Sequence, residues 1–263
     1  MTRTAIVSAM HEELAAVLDC MPDEQHTVVA GRAFWQGHLR GCDVVAVRSG
    51  IGKVAAATTA TVLIERFDVQ RIIFTGVAGG LGHGVGVGDV VVASQFMQHD
   101  MDASPLFPRY EVPGYGAAMF EADPAMTAAL AQAARATLAD LPRLLGPDAV
   151  AAFGLHQPQS HQGLLVSGDR FVATTAECRA LQSALPTALA VEMEGAAFAQ
   201  VSRDYGIPFA AVRTISDRAD DAAHGDFLAF VRQVASRVSL SLVQNYLDAA
   251  KKADFSRHNA PEK

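Results

Sequence analysis

The sequence predicts a single α/β domain in which a central parallel or mixed sheet is flanked by helices. Three observations predict it. Short apolar runs alternate with helical patterns along most of the 263 residues, as in chains whose strands are joined by helical crossovers. Half of the residues are hydrophobic and only 19% are charged, so a large core can be buried. No repeat or break in composition divides residues 1–249, and a polar, frayed tail is expected over 250–263.

The elements follow from local pattern. Residues 5–8 read as a strand and 12–20 as a helix. Residues 33–39 and 44–48 read as strands of a hairpin turning at Gly41, and 53–66, rich in small residues, as a helix. Short buried strands are expected at 72–75 and 89–93, with a glycine-dense stretch over 79–88 between them that reads either as backbone approaching a ligand or as a tight turn. The span 98–116 holds three prolines and no period, so it reads as a long loop, a feature usually tied to function. A helix at 125–138 precedes a loose insertion at 144–162. Alternation then resumes with strand 164–167, helix 175–184, strand 188–192, helix 195–205, strand 209–215 and a closing helix over 227–247.

Composition excludes several functions. A formal net charge of −7 argues against a nucleic-acid binder, which needs a basic face to displace counterions. No apolar run reaches the roughly 18–20 residues that span a bilayer, and residues 4–8 open as a strand rather than as a signal peptide. Cys20, Cys42 and Cys178 are scattered, without metal-type spacing, and read as packed thiols in a reducing cytoplasm.

Two motifs tempt and fail. Ser49-Gly50-Ile51-Gly52-Lys53 lacks the first glycine and the final Ser or Thr of a phosphate loop, since Val47 and Val54 stand there. No dinucleotide fingerprint can be drawn through residues 79–88. His11-Glu12-Glu13 and His99-Asp100 with Asp102 lack metal-ligand spacing, so neither a metal nor another cofactor is expected.

Acidic residues at strand ends carry more weight. Glu13 follows the first strand; Glu192 and Glu194 lie where strand 188–192 gives way to a helix; Asp217 follows strand 209–215. Ligands of α/β sheets bind outside the carboxyl ends of strands. Carboxylates there can hold sugar hydroxyls or move protons. Each acid also has an ordinary structural reading: Glu194 as a complement to a helix dipole, Asp217 as a helix cap.

Five motifs stand in register: Ser49-Gly50-Ile51-Gly52-Lys53, Thr75-Gly76-Val77-Ala78-Gly79-Gly80, Val166-Ser167-Gly168-Asp169, Val191-Glu192-Met193-Glu194 and Val212-Arg213-Thr214-Ile215-Ser216-Asp217. On these the chain resembles the 5′-methylthioadenosine/S-adenosylhomocysteine nucleosidases of the purine nucleoside phosphorylase superfamily, from about residue 3 to residue 247 with the insertion left out. The resemblance implies one domain on a mixed twisted sheet. It also implies an N-glycosidic hydrolase of methionine salvage, cytoplasmic and homodimeric, acting on a small adenine thionucleoside.

The resemblance further implies residue roles. Glu13 activates the attacking water. Asp217, oriented by Ser216, protonates N7 of the departing adenine and needs a pKa raised by burial. Glu194 grips the ribose hydroxyls, Met193 flanks the sugar and Arg213 lies near the water. Phe171 and Val172 sandwich the adenine, and Val77, Ala78 and Gly79 border the substrate. Met10, Ile51 and Phe227 line an apolar slot for the 5′ group, to which Leu106 and Phe107 of the long loop are added from a partner subunit. Related phosphorylases carry an arginine where Phe74 stands and a phosphate-contacting serine where Val77 stands, which favours water over phosphate. Many nucleosidases of this family also have serine at the Val77 position, a departure that touches placement of the water or ribose. The competing readings are a phosphate-dependent phosphorylase, an aminodeoxyfutalosine nucleosidase, and a binding or storage protein on the same scaffold.

Overall fold

The computed structural model describes residues 2–219 and 227–258, without the side chains of 253–258. The first half of the chain forms β1 (Thr4–Ser8), α1 (His11–Leu18), β2 (Gln25–Val29), β3 (Arg32–Leu39), β4 (Cys42–Arg48), α2 (Lys53–Phe67) and β5 (Arg71–Gly80). The second half begins with β6 (Val90–Gln98), β7 (Met119–Glu121), α3 (Pro124–Ala139), α4 (Leu141–Leu145) and α5 (Pro147–Ala152). It continues through β8 (Ser160–Ser167), α6 (Thr175–Ala184), β9 (Ala188–Glu192), α7 (Gly195–Tyr205) and β10 (Phe209–Asp217). After α8 (Phe227–Phe230) comes a π-helical turn, Val231–Ala235, and then α9 (Ser236–His258).

The sheet is mixed, as expected. Two parallel sets run in opposite senses: β1, β4, β5 and β10 form one, and β6, β8 and β9 the other. They join antiparallel twice, where β10 meets β6 and where Gly79 and Gly80 of β5 meet Val191 and Ala190 of β9. The path β5–β10–β6–β8–β9 therefore returns to β5 and closes, while β1, β4, β3 and β2 extend from β5 as an open wing.

Strand periodicity explains why the runs read as continuously apolar. Ala5, Val7, Val45, Val47, Ile72 and Phe74 enter one core cluster, while Ile6, Val44, Ala46 and Ile73, alternating with them, enter another. Both faces of a central sheet are covered, so both sets must be apolar. Helices α2 and α7 pack together on one side, and α1 and α3 pack against α9 on the other.

Several expectations change. The glycines at 79–80 do not form a turn: β5 runs through them to Gly80 because they pair with β9. β6 extends five residues past 93, to Gln98, held by β8. β2 and β7 were not expected; β2 is largely exposed and gains its order from pairing with β3. The insertion at 144–162 overlaps the end of α4, holds α5 and contributes the first three residues of β8. Leu145 and Leu155 anchor it in the core. The closing helix continues to His258, so the segment from 250 begins as helix rather than as a separate frayed tail; residues 259–263 lie outside the described residues. No described helix is long and apolar enough to cross a membrane.

Candidate active site

Most of the residues singled out by sequence converge on one cleft, at the level where β5 meets β9. Its cavity volume is about 190 Å³, and Met10, Glu13, Ile51, Val77, Ala78, Gly79, Phe171, Val172, Met193, Glu194, Ser216, Asp217 and Phe227 all line it. These side chains come from several separate stretches of sequence, brought together because the C-terminal ends of β1, β5 and β10 face those of β8 and β9 across the closure.

Glu13 is the third residue of α1 and turns back on the helix start. Its Oε2 accepts a hydrogen bond from Met10 N at 2.8 Å, and its Oε1 accepts one from Val77 N at 2.9 Å. Donors of this kind stabilise the carboxylate, yet burial dominates and pushes its pKa above the ordinary value. The chain makes room for it at Gly76. With φ of +153°, that residue has a backbone few side chains adopt, and a Cβ there would lie 2.5 Å from Glu13 Oε1.

Asp217 is the last residue of β10, so it belongs to the strand rather than capping a described helix. Ala219 N donates to its Oδ1 at 2.7 Å, and Ser216 Oγ lies 2.7 Å from its Oδ2 and 3.4 Å from Ala78 O. A hydroxyl has one hydrogen and accepts others. Its single hydrogen goes to the shorter contact, so Ser216 donates to Asp217 Oδ2 and orients the carboxyl.

Glu194 sits at the N-cap of α7 and receives Gly52 N–H on Oε1 at 2.8 Å. Burial, followed by the like charge of Glu192, pushes its pKa up to about 8. Glu192, singled out in the sequence only as an acid at a strand end, is thus part of the electrostatics and also lines the cleft. Its carboxylate accepts from Gly195 N at 2.9 Å, Glu194 N at 3.2 Å, Ser167 Oγ and Arg213 Nη2 at 2.7 Å. The Glu-Met-Glu spacing was a usable signal: with both glutamates at one strand end, one needs a cation, and Arg213 is the arginine nearest in the sequence motifs.

Arg213 departs from expectation. It does not line the cleft but lies 1% exposed behind it. Its guanidinium lies over the Phe74 ring at 3.9 Å and donates to Phe74 O at 3.1 Å, besides Glu192. Its positive charge reaches Glu13 and Glu194 through space, lowering both. Leu106 and Phe107 also stand apart, exposed on the loop after β6 and outside this chain's own cleft. Phe171 stands at the rim with its ring edge-on to Phe227, centroids 6.3 Å apart. Ala9, Arg170 and Val191 complete the lining; neighbours of predicted residues, they carried no chemical signal of their own.

A closed α/β sheet with acids gathered where two parallel sets meet defines the class. The chain belongs to the phosphorylase superfamily, whose family model matches residues 3–247. Among its relatives is the 5′-methylthioadenosine/S-adenosylhomocysteine nucleosidase of Shewanella denitrificans, 33% identical over 92% of this chain and 97% of that one. The Neisseria meningitidis nucleosidase of the same name, solved in complex with methylthio-immucillin-A, superposes with a TM-score of 0.82 at 31% identity, covering 95% of this chain and all of that one. The futalosine hydrolase of Helicobacter pylori strain 26695 superposes with a TM-score of 0.80 at 30% identity, covering 94% and 98%. The resemblance and fold class read from the sequence are borne out, as is the expectation of an N-glycosidic hydrolase, the kind of enzyme these relatives are.

Proposed function

We propose that the protein hydrolyses the N-glycosidic bond of 5′-methylthioadenosine and S-adenosylhomocysteine, releasing adenine and a 5-thio-substituted ribose. The observation that carries this reading is the convergence of Glu13, Glu194 and Asp217 on one cleft that also presents the apolar side chains of Met10, Ile51 and Phe227.

Each acid has a task its surroundings suit. Adenine leaves poorly as an anion, so a proton must reach N7 as the bond breaks, and Asp217, oriented by Ser216, is the acid suited to deliver it. The sugar becomes oxocarbenium-like, and ionised carboxylate in the cleft, Glu192 among the lining acids, favours that charge. Glu194, which lines the same cleft, holds the ribose hydroxyls in this reading. Glu13, whose pKa is raised by burial, is a stronger base than an exposed glutamate for taking a proton from water.

Water is the better nucleophile than phosphate. Phe74 stacks under Arg213 and offers no charge, and the Val77 N–H is already taken by Glu13. A phosphate dianion beside that carboxylate would be both repelled and short of donors. The test is to incubate the protein with methylthioadenosine in phosphate-free buffer and measure free adenine and reducing sugar. Adenine release only after phosphate is added would overturn the hydrolytic reading.

A futalosine-type nucleoside is a second substrate reading, favoured by the Helicobacter pylori hydrolase at 30% identity and by Ile51, which is 59% exposed and leaves the 5′ side open. Direct comparison of the two nucleosides decides between them. Leu106, 84% exposed, and Phe107, 36% exposed, support a homodimer in which loop 98–116 completes the partner's 5′ slot in the cytoplasm; a fully active monomer in sedimentation overturns it.

A further inference from the structure

The failed phosphate loop has a lysine with a different use. Lys53 opens α2, and its Nζ lies 2.6 Å from Asp100 Oδ1 and 3.0 Å from Gln98 Oε1. The other oxygen of Asp100 accepts from Asp169 N at 2.8 Å. Asp169 Oδ1 in turn accepts from Lys53 N at 2.7 Å. The chain of contacts returns to its start: Lys53 side chain, Asp100, Asp169 backbone, Asp169 side chain, Lys53 backbone.

This ring joins three segments far apart in sequence, beyond the ends of β4, β6 and β8. The first and the last lead directly into the cleft. The residue before Lys53 is Gly52, whose N–H holds Glu194, and before that comes Ile51 of the cleft wall. Two and three residues after Asp169 come Phe171 and Val172. Gly52 is held closely: its φ is +94° and a Cβ would lie 3.0 Å from Asp169 Oδ1. Burial alone would push the Asp100 carboxyl up, but Lys53 and the Asp169 N–H together bring it below the ordinary carboxylate range, so it stays ionised at neutral pH. The Lys53 side chain is 17% exposed, which shelters its ion pair from solvent more than a surface pair is sheltered.

We propose that Lys53, through its ring with Asp100 and Asp169, is a positioning residue that holds the ribose side and the adenine side of the cleft at a fixed separation. The proposal rests on the nucleosidase reading. A rigid separation matters because both walls must engage one nucleoside at once, and a preorganised cleft spends no binding energy on ordering them.

The experiment measures adenine release from methylthioadenosine by wild-type protein and by Lys53→Met, Lys53→Arg, Asp100→Asn and the Lys53→Met/Asp100→Asn double variant, with thermal melts alongside. Loss of positioning in Lys53→Met is expected to raise KM about tenfold while kcat stays within about threefold. Lys53→Arg keeps the charge and is expected to recover most of the affinity. The double variant should be no worse than the worse single variant, because both break the same ring. A wild-type KM in Lys53→Met, or additive losses in the double variant, overturns the proposal; if Lys53→Met fails to fold, the KM of Asp100→Asn decides in its place. Inactive wild-type protein overturns the nucleosidase reading and this inference with it, whereas active wild-type with unchanged variants overturns this inference alone.

Discussion

Replacing Glu192 with glutamine tests the electrostatics of the cleft without touching the acids assigned to chemistry. In the folded protein Glu194 titrates at about 8 against an ordinary 4.5, because of burial first and the Glu192 charge second. A carboxyl raised in this way binds a proton that the unfolded chain has released. Between those two values the folded state holds more protons, so stability falls as pH rises, and the fall is complete above the folded value. From pH 7 to pH 9 a group titrating at about 8 removes on the order of 1 kcal/mol, a few degrees in melting temperature for a chain of this size. Removing the Glu192 charge brings Glu194 down, and Arg213, no longer neutralised, pulls the same way. With Glu194 lowered toward its ordinary value, the loss over the same window shrinks. The Glu192→Gln change also breaks a pair whose side chains are 3% and 2% exposed, costing on the order of 3–5 kcal/mol at every pH. That offset cancels when slopes are compared within each variant. Melts from pH 7 to 9 check this; equal slopes for the two proteins would refute the account of Glu194.

The other expectations concern single contacts. Asp217→Asn should lower kcat by about two to four decades with a melting temperature close to wild type; activity near wild type would remove Asp217 as the proton donor. Gly76→Ala should cost about 1–3 kcal/mol in backbone strain alone and push Glu13 off Met10 N and Val77 N, so turnover should drop with stability, and an active, stable Gly76→Ala would disprove the packing argument. The double change Leu106→Ser/Phe107→Ser should raise KM for methylthioadenosine about tenfold and leave melting nearly unchanged, since both side chains are exposed in the single chain; an unaltered KM would exclude the loop from any partner's cleft.

Much of the fold was legible because its signals are local. Runs such as Ala5-Ile6-Val7 are apolar on both faces, and the hairpin turn at Arg40-Gly41 is read from neighbours in sequence. β2 and the later half of β6 were not legible. Their residues do not insist on a strand, and order comes from partners that pattern cannot name. The site divides the same way. Glu13, Glu194 and Asp217 stand at strand ends by chain order alone, whereas the withdrawal of Arg213 from the cleft depends on Glu192, Phe74 and the closure of the sheet.

The amino-acid order by itself determined that this is one α/β domain with its acids at strand ends, because apolar periodicity and chain position are properties of a few adjacent residues. Only the tertiary structure decided which carboxylates share a cleft, which one is neutralised by Arg213 and how Lys53 ties three distant segments together. Burial and through-space charge depend on what lies within a few ångströms, and those neighbours come from segments well separated along the chain.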